Sequence, residues 1–220
     1  EEKVEKGQGG LSRRGFLKAA GVIGAVAMAE KAMGQMPVLV AANPLIGTFD
    51  MHVHAGPDTA SRSVNDFELA RKAKELGMRG VVTKNHEFIT NDRAYLVRQI
   101  IPGIEVFGGI TLNESVGGIN PEAVDLMIKF TGGCGKIVWL PTHGAANHKS
   151  FFAKKADAGG IRVIDSSGNV VPELRKVLKL IAKADIIFAT GHVSPKEVLA
   201  AAKAAKEEGV RKILITHAMQ

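Results

Sequence analysis

The chain has 220 residues, of which 45% are hydrophobic and 23% are charged, a balance that suits one globular domain with a sizeable core. Its formal net charge is +7, but no basic run is interleaved with aromatic residues, which argues against nucleic acid as a partner. The one cysteine, Cys134, excludes an internal disulfide and a cysteine-based zinc site.

Residues 1–35 have the pattern of an export signal and linker. Paired arginines followed by Gly-Phe-Leu-Lys in residues 12–18 lead into an apolar run, residues 19–29, that ends in Ala-Met-Ala. The run is shorter than the ~20 apolar residues that span a bilayer. The segment resembles a twin-arginine signal, which implies the twin-arginine export machinery as a partner, a periplasmic location and a mature chain from about Glu30. An ordinary amphipathic helix with two arginines is the alternative.

Beyond this segment, short apolar runs alternate with stretches whose apolar residues recur at helical spacing. We predict strands over residues 48–54, 80–86, 105–113, 136–143, 185–192 and 212–217. We predict helices over residues 64–77, 91–101, 121–130, 172–184 and 194–209. Residues 144–171 break the alternation, and the short apolar runs on either side of residues 165–169 predict a small hairpin.

The spacing of these elements predicts the fold class. The strands are near-continuous apolar runs, which indicates a parallel sheet covered on both faces. Strands and helices alternate about every 25 to 30 residues, and such a βα repeat is typical of an α/β fold. We expect a (β/α)8 barrel of the TIM type over residues 36–220, truncated after its sixth βα unit. An open, doubly wound sheet is the alternative, although no glycine-rich phosphate loop follows the first strand.

The first predicted strand ends in a His-x-His pair. Side chains on a strand alternate faces with a period of two, so Asp50, His52 and His54 are expected to share one face. Two imidazoles one pleat apart can hold one divalent metal ion. Asp50 is a candidate catalytic carboxylate, which would orient a histidine or hold the floor of the barrel. The alternative is a strand that happens to carry two histidines.

Every histidine in the chain lies at or just beyond the C-terminal end of a predicted strand, and none lies in a predicted helix. The seven are His52, His54, His86, His143, His148, His192 and His217. The C-terminal ends of barrel strands meet at one face, where active sites lie. The sequence therefore predicts that the histidines converge.

With these motifs, residues 47–220 resemble the amidohydrolase superfamily of metal-dependent hydrolases, and in particular a branch of uncharacterised amidohydrolase-like proteins. The matching motifs are the His-x-His pair, ATGH at the end of the fifth predicted strand and ITH at the end of the sixth. The resemblance implies one or two divalent metal ions, usually zinc, held by His52, His54, His192 and His217. Manganese or iron is the alternative metal. The implied reaction is hydrolysis of an amide, ester or related bond of a small-molecule substrate.

The chain departs from the superfamily pattern in two respects. The fourth strand of binuclear members usually ends in a carboxylated lysine or a glutamate, whereas here it ends in His143, a candidate ligand or substrate contact. The usual eighth-strand aspartate would lie outside these residues. Lys84 and His86, at the end of the second strand, are expected to face the mouth of the site and could bind an anionic group. Lys84 could instead be a bridging carboxylated lysine, although on a different strand from that of the superfamily. His148 and Asn113 are further candidates for substrate contacts at the rim.

Two other functions stay open at this point. A mononuclear-metal decarboxylase, a lyase, would also use His-x-His, and the missing bridging lysine favours it. An exported metal- or solute-binding domain without catalysis is the third possibility. A barrel cut after its sixth strand would have open strand edges, so we also expect self-association into homo-oligomers.

Overall fold

The computed structural model describes residues 43–218, so the predicted export signal in residues 1–35 lies outside the described part of the chain. The strands are β1 (Phe49–Val53), β2 (Gly80–Thr83), β3 (Glu105–Thr111), β4 (Gly135–Trp139), β5 (Ile187–Ala189) and β6 (Ile213–Leu214). The α-helices are α1 (Asp66–Glu75), α2 (Asn91–Ile100), α3 (Pro121–Lys129), α4 (Ala146–Ala153), α5 (Pro172–Ala184) and α6 (Pro195–Glu207). None of these described helices has the length and apolar character needed to cross a bilayer.

The six strands form one parallel sheet in the order β1-β2-β3-β4-β5-β6. Each strand therefore lies beside its neighbour in sequence, as in a singly wound barrel. A doubly wound sheet reverses its winding direction at a switch point, and this sheet has no such reversal within residues 43–218. The α/β fold of the barrel type is confirmed, and the doubly wound alternative is wrong.

The sheet is strongly curled. In a flat sheet, five steps of about 4.8 Å would separate β1 from β6 by about 24 Å. His52 on β1 and His217 just after β6 nevertheless have ring centroids only 5.4 Å apart. The described strands therefore form a half-barrel whose C-terminal strand ends point toward one another.

Two apolar layers hold the half-barrel together. On its outer face, buried strand residues such as Val81, Val106 and Val138 pack against the surrounding helices. On its inner face, a smaller cluster contains Val82, Ile137, Trp139 and Ala189. Both faces are buried, which explains why the strand sequences are apolar at consecutive positions rather than alternating.

Close approach of β3 and β4 depends on Gly109. A Cβ atom at this position would collide with the carbonyl oxygen of Ile137 and would lie 2.7 Å from Cζ3 of Trp139. A glycine here leaves room for the Trp139 ring to approach the backbone of β3 closely. The tryptophan can therefore occupy the floor beneath the strand ends.

Several element boundaries differ from the sequence expectation. β4, β5 and β6 are shorter than predicted, because the chain leaves the sheet before the polar residues that follow each apolar run. The predicted hairpin is a tight turn with a single antiparallel bridge between Ile164 and Val170. Helix α4 was not predicted at all. Its sequence, ANHKSFFA, has no amphipathic pattern, since only Ala146 is buried while Phe151 and Phe152 are 75% and 69% exposed.

Candidate histidine-rich metal centre

The seven imidazole rings form a closed circuit at the C-terminal end of the sheet. Neighbouring rings lie 3.9–5.4 Å apart between centroids, in the order His52, His54, His86, His143, His148, His192, His217 and back to His52. The order around the circuit is the order along the chain, because successive βα units deliver their residues to the same end of the half-barrel. The rings that line an open pocket of about 340 Å³ are those of His52, His54, His86, His192 and His217.

The four histidines expected to bind metal lie together in this circuit. Ring centroids are 5.4 Å apart for His52 and His54, 5.4 Å for His52 and His217, and 5.0 Å for His192 and His217. No group of three or more His, Cys, Asp or Glu side chains within residues 43–218 is already arranged to hold a metal ion. The rings instead contact one another through faces and edges, so side-chain rotations would be needed to turn their nitrogens toward a common point.

A β-bulge in β1 decides which of its side chains face the pocket. Asp50 pairs with Val81 and Val53 pairs with Thr83, so three steps along β1 match two steps along β2. Val81 packs among the helices, and its register partner Asp50 therefore lies on the helix side of the sheet. The expectation that Asp50 shares a face with His52 is wrong, because the bulge interrupts the period of two. Asp50 Oδ1 instead accepts a hydrogen bond of 2.9 Å from the backbone N–H of His52.

The loop after His54 carries a buried acidic residue with its own cation. The Asp58 side chain is only 1% exposed and forms a 2.7 Å ion pair with Arg62. Burial acts to raise the pKa of Asp58, but the hydrogen bonds from Arg62 and from backbone N–H groups outweigh it and hold the pKa below its usual value. Nη2 of Arg62 also lies 3.4 Å from Nδ1 of His54, a long contact that brings positive charge to the rim of the pocket.

Arg93 of α2 fastens the same loop to the helices. Its Nε donates to Oδ2 of Asp66, at the start of α1, over 2.6 Å. Its two terminal nitrogens donate to the carbonyl oxygens of Pro57 and Ala55 over 2.7 Å and 3.1 Å. One guanidinium therefore ties α1, α2 and the residues just after His54 together.

Lys84 is a buried amine below the circuit of rings. It is 1% exposed, and its Nζ lies 5.5 Å from the centroid of the Trp139 ring and 3.4 Å from Nδ1 of His86. Burial, with a further contribution from the charge of Arg62, lowers the pKa of Lys84 to about 7. Lys84 was expected to face the mouth of the site, but its side chain is buried, with its Nζ against the Trp139 ring.

Asn113 is a buried junction between three strand ends. Its Oδ1 accepts hydrogen bonds from the backbone N–H groups of Thr142 and Gly144, at 2.8 Å and 3.1 Å. Its Nδ2 donates to the carbonyl oxygen of His86 and to Oγ1 of Thr142, both at 2.9 Å. Asn113 is 2% exposed, so the expectation that it contacts substrate at the rim is wrong. Both polar atoms of its amide group are occupied by hydrogen bonds that hold the loops after β2 and β4 in position.

His143 and His148 reach the circuit from outside the strands. β4 ends at Trp139, so His143 belongs to the following loop, where it is exposed, rather than to the strand end. His148 lies in the first turn of α4, which corrects the expectation that no histidine is helical. Its Nδ1 is 3.1 Å from Nδ1 of His192, and its ring packs 4.5 Å from that of Phe152.

The backbone around His192 and His217 is tightly constrained. Gly191 has φ +61°, and a Cβ atom there would lie 2.6 Å from the carbonyl oxygen of Pro141. That carbonyl accepts a 2.9 Å hydrogen bond from the backbone N–H of His192, so the loop after β4 fixes the histidine after β5. His217 itself has a left-handed backbone conformation, with φ +56°. Both histidines are therefore aimed by turns rather than by strand geometry.

Burial keeps most of the rings uncharged. Burial, followed by the charge of Lys84, lowers the pKa of His52 to about 3, of His54 to about 4, of His192 to about 3 and of His86 to about 2. Burial also lowers the pKa of His148. At neutral pH these imidazoles are neutral and each has one nitrogen lone pair. Imidazole nitrogen suits zinc, copper, iron or nickel better than magnesium or calcium, which prefer oxygen ligands.

Three residues near the rings were not singled out from the sequence. Thr142 and Trp139 lie in the apolar run of β4 and its exit, where they are typical of core residues, and Arg62 lies in a polar loop. No spacing rule connects them to the histidines. Only the histidine at position 143 gave a hint that the neighbouring Thr142 is close to the site.

Comparison with known proteins identifies a matching family and a solved structure of limited similarity. Residues 47–220 match DUF6282, a family of unknown function. No curated protein is significantly similar to the chain. A crystal structure of phosphonopyruvate hydrolase in complex with oxalate and Mg²⁺ is similar with a TM-score of 0.44 and 13% sequence identity. The similarity covers 77% of this chain, which spans 58% of the length of that structure.

Proposed function

Because the chain belongs to the DUF6282 family, whose function is unknown, its activity has to be argued from its own site, and we propose a metal-dependent hydrolase of the amidohydrolase type. The observation that carries the proposal is the closed circuit of imidazoles around a pocket at the C-terminal end of a parallel half-barrel. Apolar residues would pack in that place at lower cost than a cluster of imidazoles, so the cluster favours a ligand-binding role over a structural one.

The donor set fits a divalent transition metal. We assign it to His52, His54, His192 and His217, because these four rings are consecutive neighbours in the circuit, in the order His54, His52, His217, His192. A metal ion bound there would act as a Lewis acid and lower the pKa of a bound water molecule to ~7. Zinc is the first expectation for such a nitrogen-rich set and iron is an alternative, whereas manganese, which prefers oxygen ligands, fits the set less well.

The other residues of the chain hold these ligands in place. Asp50 fixes the backbone of His52 through the bulge, and Arg93 fixes the loop that follows His54. His148 can orient the ring of His192. If Nε2 of His192 is the ligand atom, the proton of His192 resides on its Nδ1, which then donates a hydrogen bond to Nδ1 of His148, 3.1 Å away. Three of the four assigned ligands thus have neighbours that hold the backbone, as at His52 and His54, or contact the ring, as at His192.

The pocket indicates the size of the substrate. A volume of about 340 Å³ lies at the lower end of the range typical of sites for small molecules. Its walls are imidazoles, with an arginine at the rim, and contain no carboxylate among the described lining residues. The site therefore suits a small polar molecule, and an electron-rich one in particular.

A carbon–carbon lyase is the second candidate, on one specific observation. The two acidic side chains that flank the His-x-His pair in sequence are already engaged, Asp58 with Arg62 and Asp50 with the backbone of His52. A hydrolase needs a group that accepts the proton of the attacking water, whereas a metal-dependent decarboxylase does not. Product analysis separates the two, because only the lyase releases carbon dioxide.

The experiment that tests the proposal is metal analysis joined to an activity screen. The full chain is purified without chelator or added metal, its metal content is measured by plasma mass spectrometry, and it is assayed against small esters, lactones and amides. We expect one or two equivalents of metal, activity that a chelator abolishes and zinc restores, and at least tenfold weaker zinc binding in His52→Ala.

The matched control is Arg211→Ala, which removes a cation that is 74% exposed. Arg211 pairs with Asp185 at the N-terminal ends of β5 and β6, opposite the strand ends that carry the histidines. This variant should keep both metal and activity. The proposal is abandoned if the folded chain contains no metal and takes up none, or if His52→Ala retains the metal content and activity of the original chain.

A further inference from the structure

We infer that His86 is not a metal ligand but a hydrogen-bond donor, whose Nε2–H binds an anionic oxygen of the substrate. The inference rests on the proposed hydrolase function for the identity of that substrate, but its structural part, the tautomer of His86, stands on contacts within the described chain. Those contacts run from Asn113 through Thr142 to the imidazole ring.

The orientation of the Asn113 amide is fixed by its surroundings. Two backbone N–H groups, of Thr142 and Gly144, point at Oδ1, so this atom must be the oxygen. The nitrogen Nδ2 then has two hydrogens, and these go to the carbonyl oxygen of His86 and to Oγ1 of Thr142, each over 2.9 Å. A flipped amide would oppose donor with donor at the two backbone N–H groups and acceptor with acceptor at the carbonyl oxygen of His86.

The hydroxyl of Thr142 has one place left for its hydrogen. Thr142 is fully buried, and its Oγ1 contacts two polar atoms among the described residues: Nδ2 of Asn113 and Nδ1 of His86. The first of these is a donor. The Thr142 hydrogen must therefore go to Nδ1 of His86, 2.8 Å away, because a buried hydroxyl hydrogen without an acceptor is costly.

This hydrogen bond selects the tautomer of His86. A neutral imidazole has one N–H and one bare nitrogen, and only the bare nitrogen can accept a hydrogen bond or bind a metal. In His86 the bare nitrogen is Nδ1, and it is occupied by Thr142. Nζ of Lys84, at 3.4 Å, faces the same nitrogen and is compatible with a lone pair there. The proton consequently resides on Nε2.

The Nε2–H group has no acceptor among the described residues, and His86 lines the pocket. An imidazole N–H at the wall of the pocket, with the buried amine of Lys84 3.4 Å from the opposite ring nitrogen, is suited to an oxygen that carries negative charge. Two sources of such an oxygen share this chemistry: a carboxylate of the substrate, or the oxyanion formed when water attacks its carbonyl group.

The first test measures the tautomer without a substitution that could disturb the fold. Long-range proton–nitrogen NMR spectra of the full chain, labelled with ¹⁵N, are recorded before and after addition of zinc, and His86→Gln identifies the signals. We expect an Nε2–H tautomer with bare Nδ1 in both spectra. An Nδ1–H tautomer, or a nitrogen signal of His86 that moves to the metal-bound range, would overturn the inference.

The second test measures zinc stoichiometry in His86→Gln, with His217→Ala as the matched ligand variant. Glutamine offers an amide N–H near the position of Nε2, so we expect unchanged zinc content in His86→Gln and loss of at least about tenfold in zinc affinity in His217→Ala. Loss of zinc from His86→Gln would refute the assignment. Absence of zinc binding by the original chain would instead refute the proposed function and leave the tautomer measurement to decide the structural part.

The third test concerns the charge of the bound oxygen. Acetate, with neutral acetamide as a probe of the same size, is titrated into the metal-free chain while the His86 Nε2–H signal is followed. We expect acetate alone to shift the signal, and an equal response to acetamide would overturn the anionic preference. With a substrate from the activity screen, His86→Phe, which keeps a ring but has no N–H, should raise KM if the oxygen is a carboxylate and lower kcat if it is the oxyanion. Unchanged values of both in His86→Phe would overturn the role.

Discussion

Replacement of Arg93 by alanine should destabilise the fold far more than replacement of an ordinary surface arginine. The Arg93 side chain is 17% exposed and its partner Asp66 is 5% exposed, so the ion pair is shielded from water. Oδ1 of Asp66 has no hydrogen-bond partner among the described residues, and the variant would leave its other oxygen unpaired as well. The carbonyl oxygens of Ala55 and Pro57 would each lose a donor.

The magnitude follows from these contacts. Removal of one partner of a buried ion pair costs about 3–5 kcal/mol, because the remaining charge stays buried. Asp66 lies in the first turn of α1, where the helix dipole offsets about 0.3–1 kcal/mol of this cost. We therefore expect Arg93→Ala to lower the free energy of unfolding by about 3 kcal/mol, a large part of the ~5–15 kcal/mol typical of a domain.

Urea denaturation followed by the fluorescence of Trp139, the single tryptophan, measures this loss. The matched control is Arg79→Ala, since Arg79 pairs with Glu105 at 3.4 Å while the two side chains are 68% and 41% exposed. That exposed pair should contribute less than about 1 kcal/mol. Arg93→Lys should fall between the two variants, because an ammonium can keep the contact with Asp66 but not all three hydrogen bonds. An effect of Arg93→Ala no larger than that of Arg79→Ala would refute the reasoning.

Three further predictions concern the loops and the rim of the site. Gly191→Ala should lower zinc affinity as well as thermal stability. Residue 191 has φ +61°, and an added Cβ would collide with carbonyl oxygens of the loop after β4. Unchanged zinc affinity in this variant would show that the turn does not position His192. Glu197→Ala should lower the free energy of unfolding, measured by urea denaturation, by about 2–3 kcal/mol. The reason is that this buried carboxylate accepts hydrogen bonds from the backbone N–H of Val163 and from the N-cap residue of α6. Glu197→Gln should lower it clearly less. The pKa of Asp58 is lower in the folded than in the unfolded chain, because the Arg62 hydrogen bond outweighs the opposing effect of burial. The contribution of Asp58 to stability is therefore present above about pH 4 and is lost as the pH falls through the depressed folded pKa. Asp58→Asn should flatten the acid side of the plot of stability against pH, and a plot identical to that of the original chain would contradict this.

The order of strands and helices could be predicted from the sequence because it depends on local periodicity. Helix α5, for example, begins at Pro172 and ends at Ala184 as the apolar spacing indicates. Helix α4 could not be predicted in the same way, since its exposed phenylalanines and single buried alanine give no periodic signal. Periodicity finds helices that pack a face against a core, and α4 hardly does so.

The convergence of the histidines follows from topology, but the details of the site do not. A residue at the end of a parallel strand in a βα unit is carried to the common face whatever its local geometry, which is why His192 could be placed from its strand. The face on which Asp50 lies depends on a bulge, and a bulge inserts one residue without a mark in this sequence. The role of Asn113 depends on backbone groups from two other loops, and pattern analysis contains no such information.

The 5.4 Å separation of the rings of His52 and His217 has a consequence for folding. These residues belong to the first and the last strand of the described sheet, and no backbone ladder joins those strands within residues 43–218. A ligand that contacts both imidazoles would therefore link the two ends of the sheet across its open side and restrain its curvature. By mass action, such a ligand at about 1,000 times its Kd would stabilise the curled state by about 4 kcal/mol. The same imidazole nitrogens that we assign to the metal ion would then also set the shape of the scaffold, and loss of the ligand would first weaken the contact between the ends of β1 and β6.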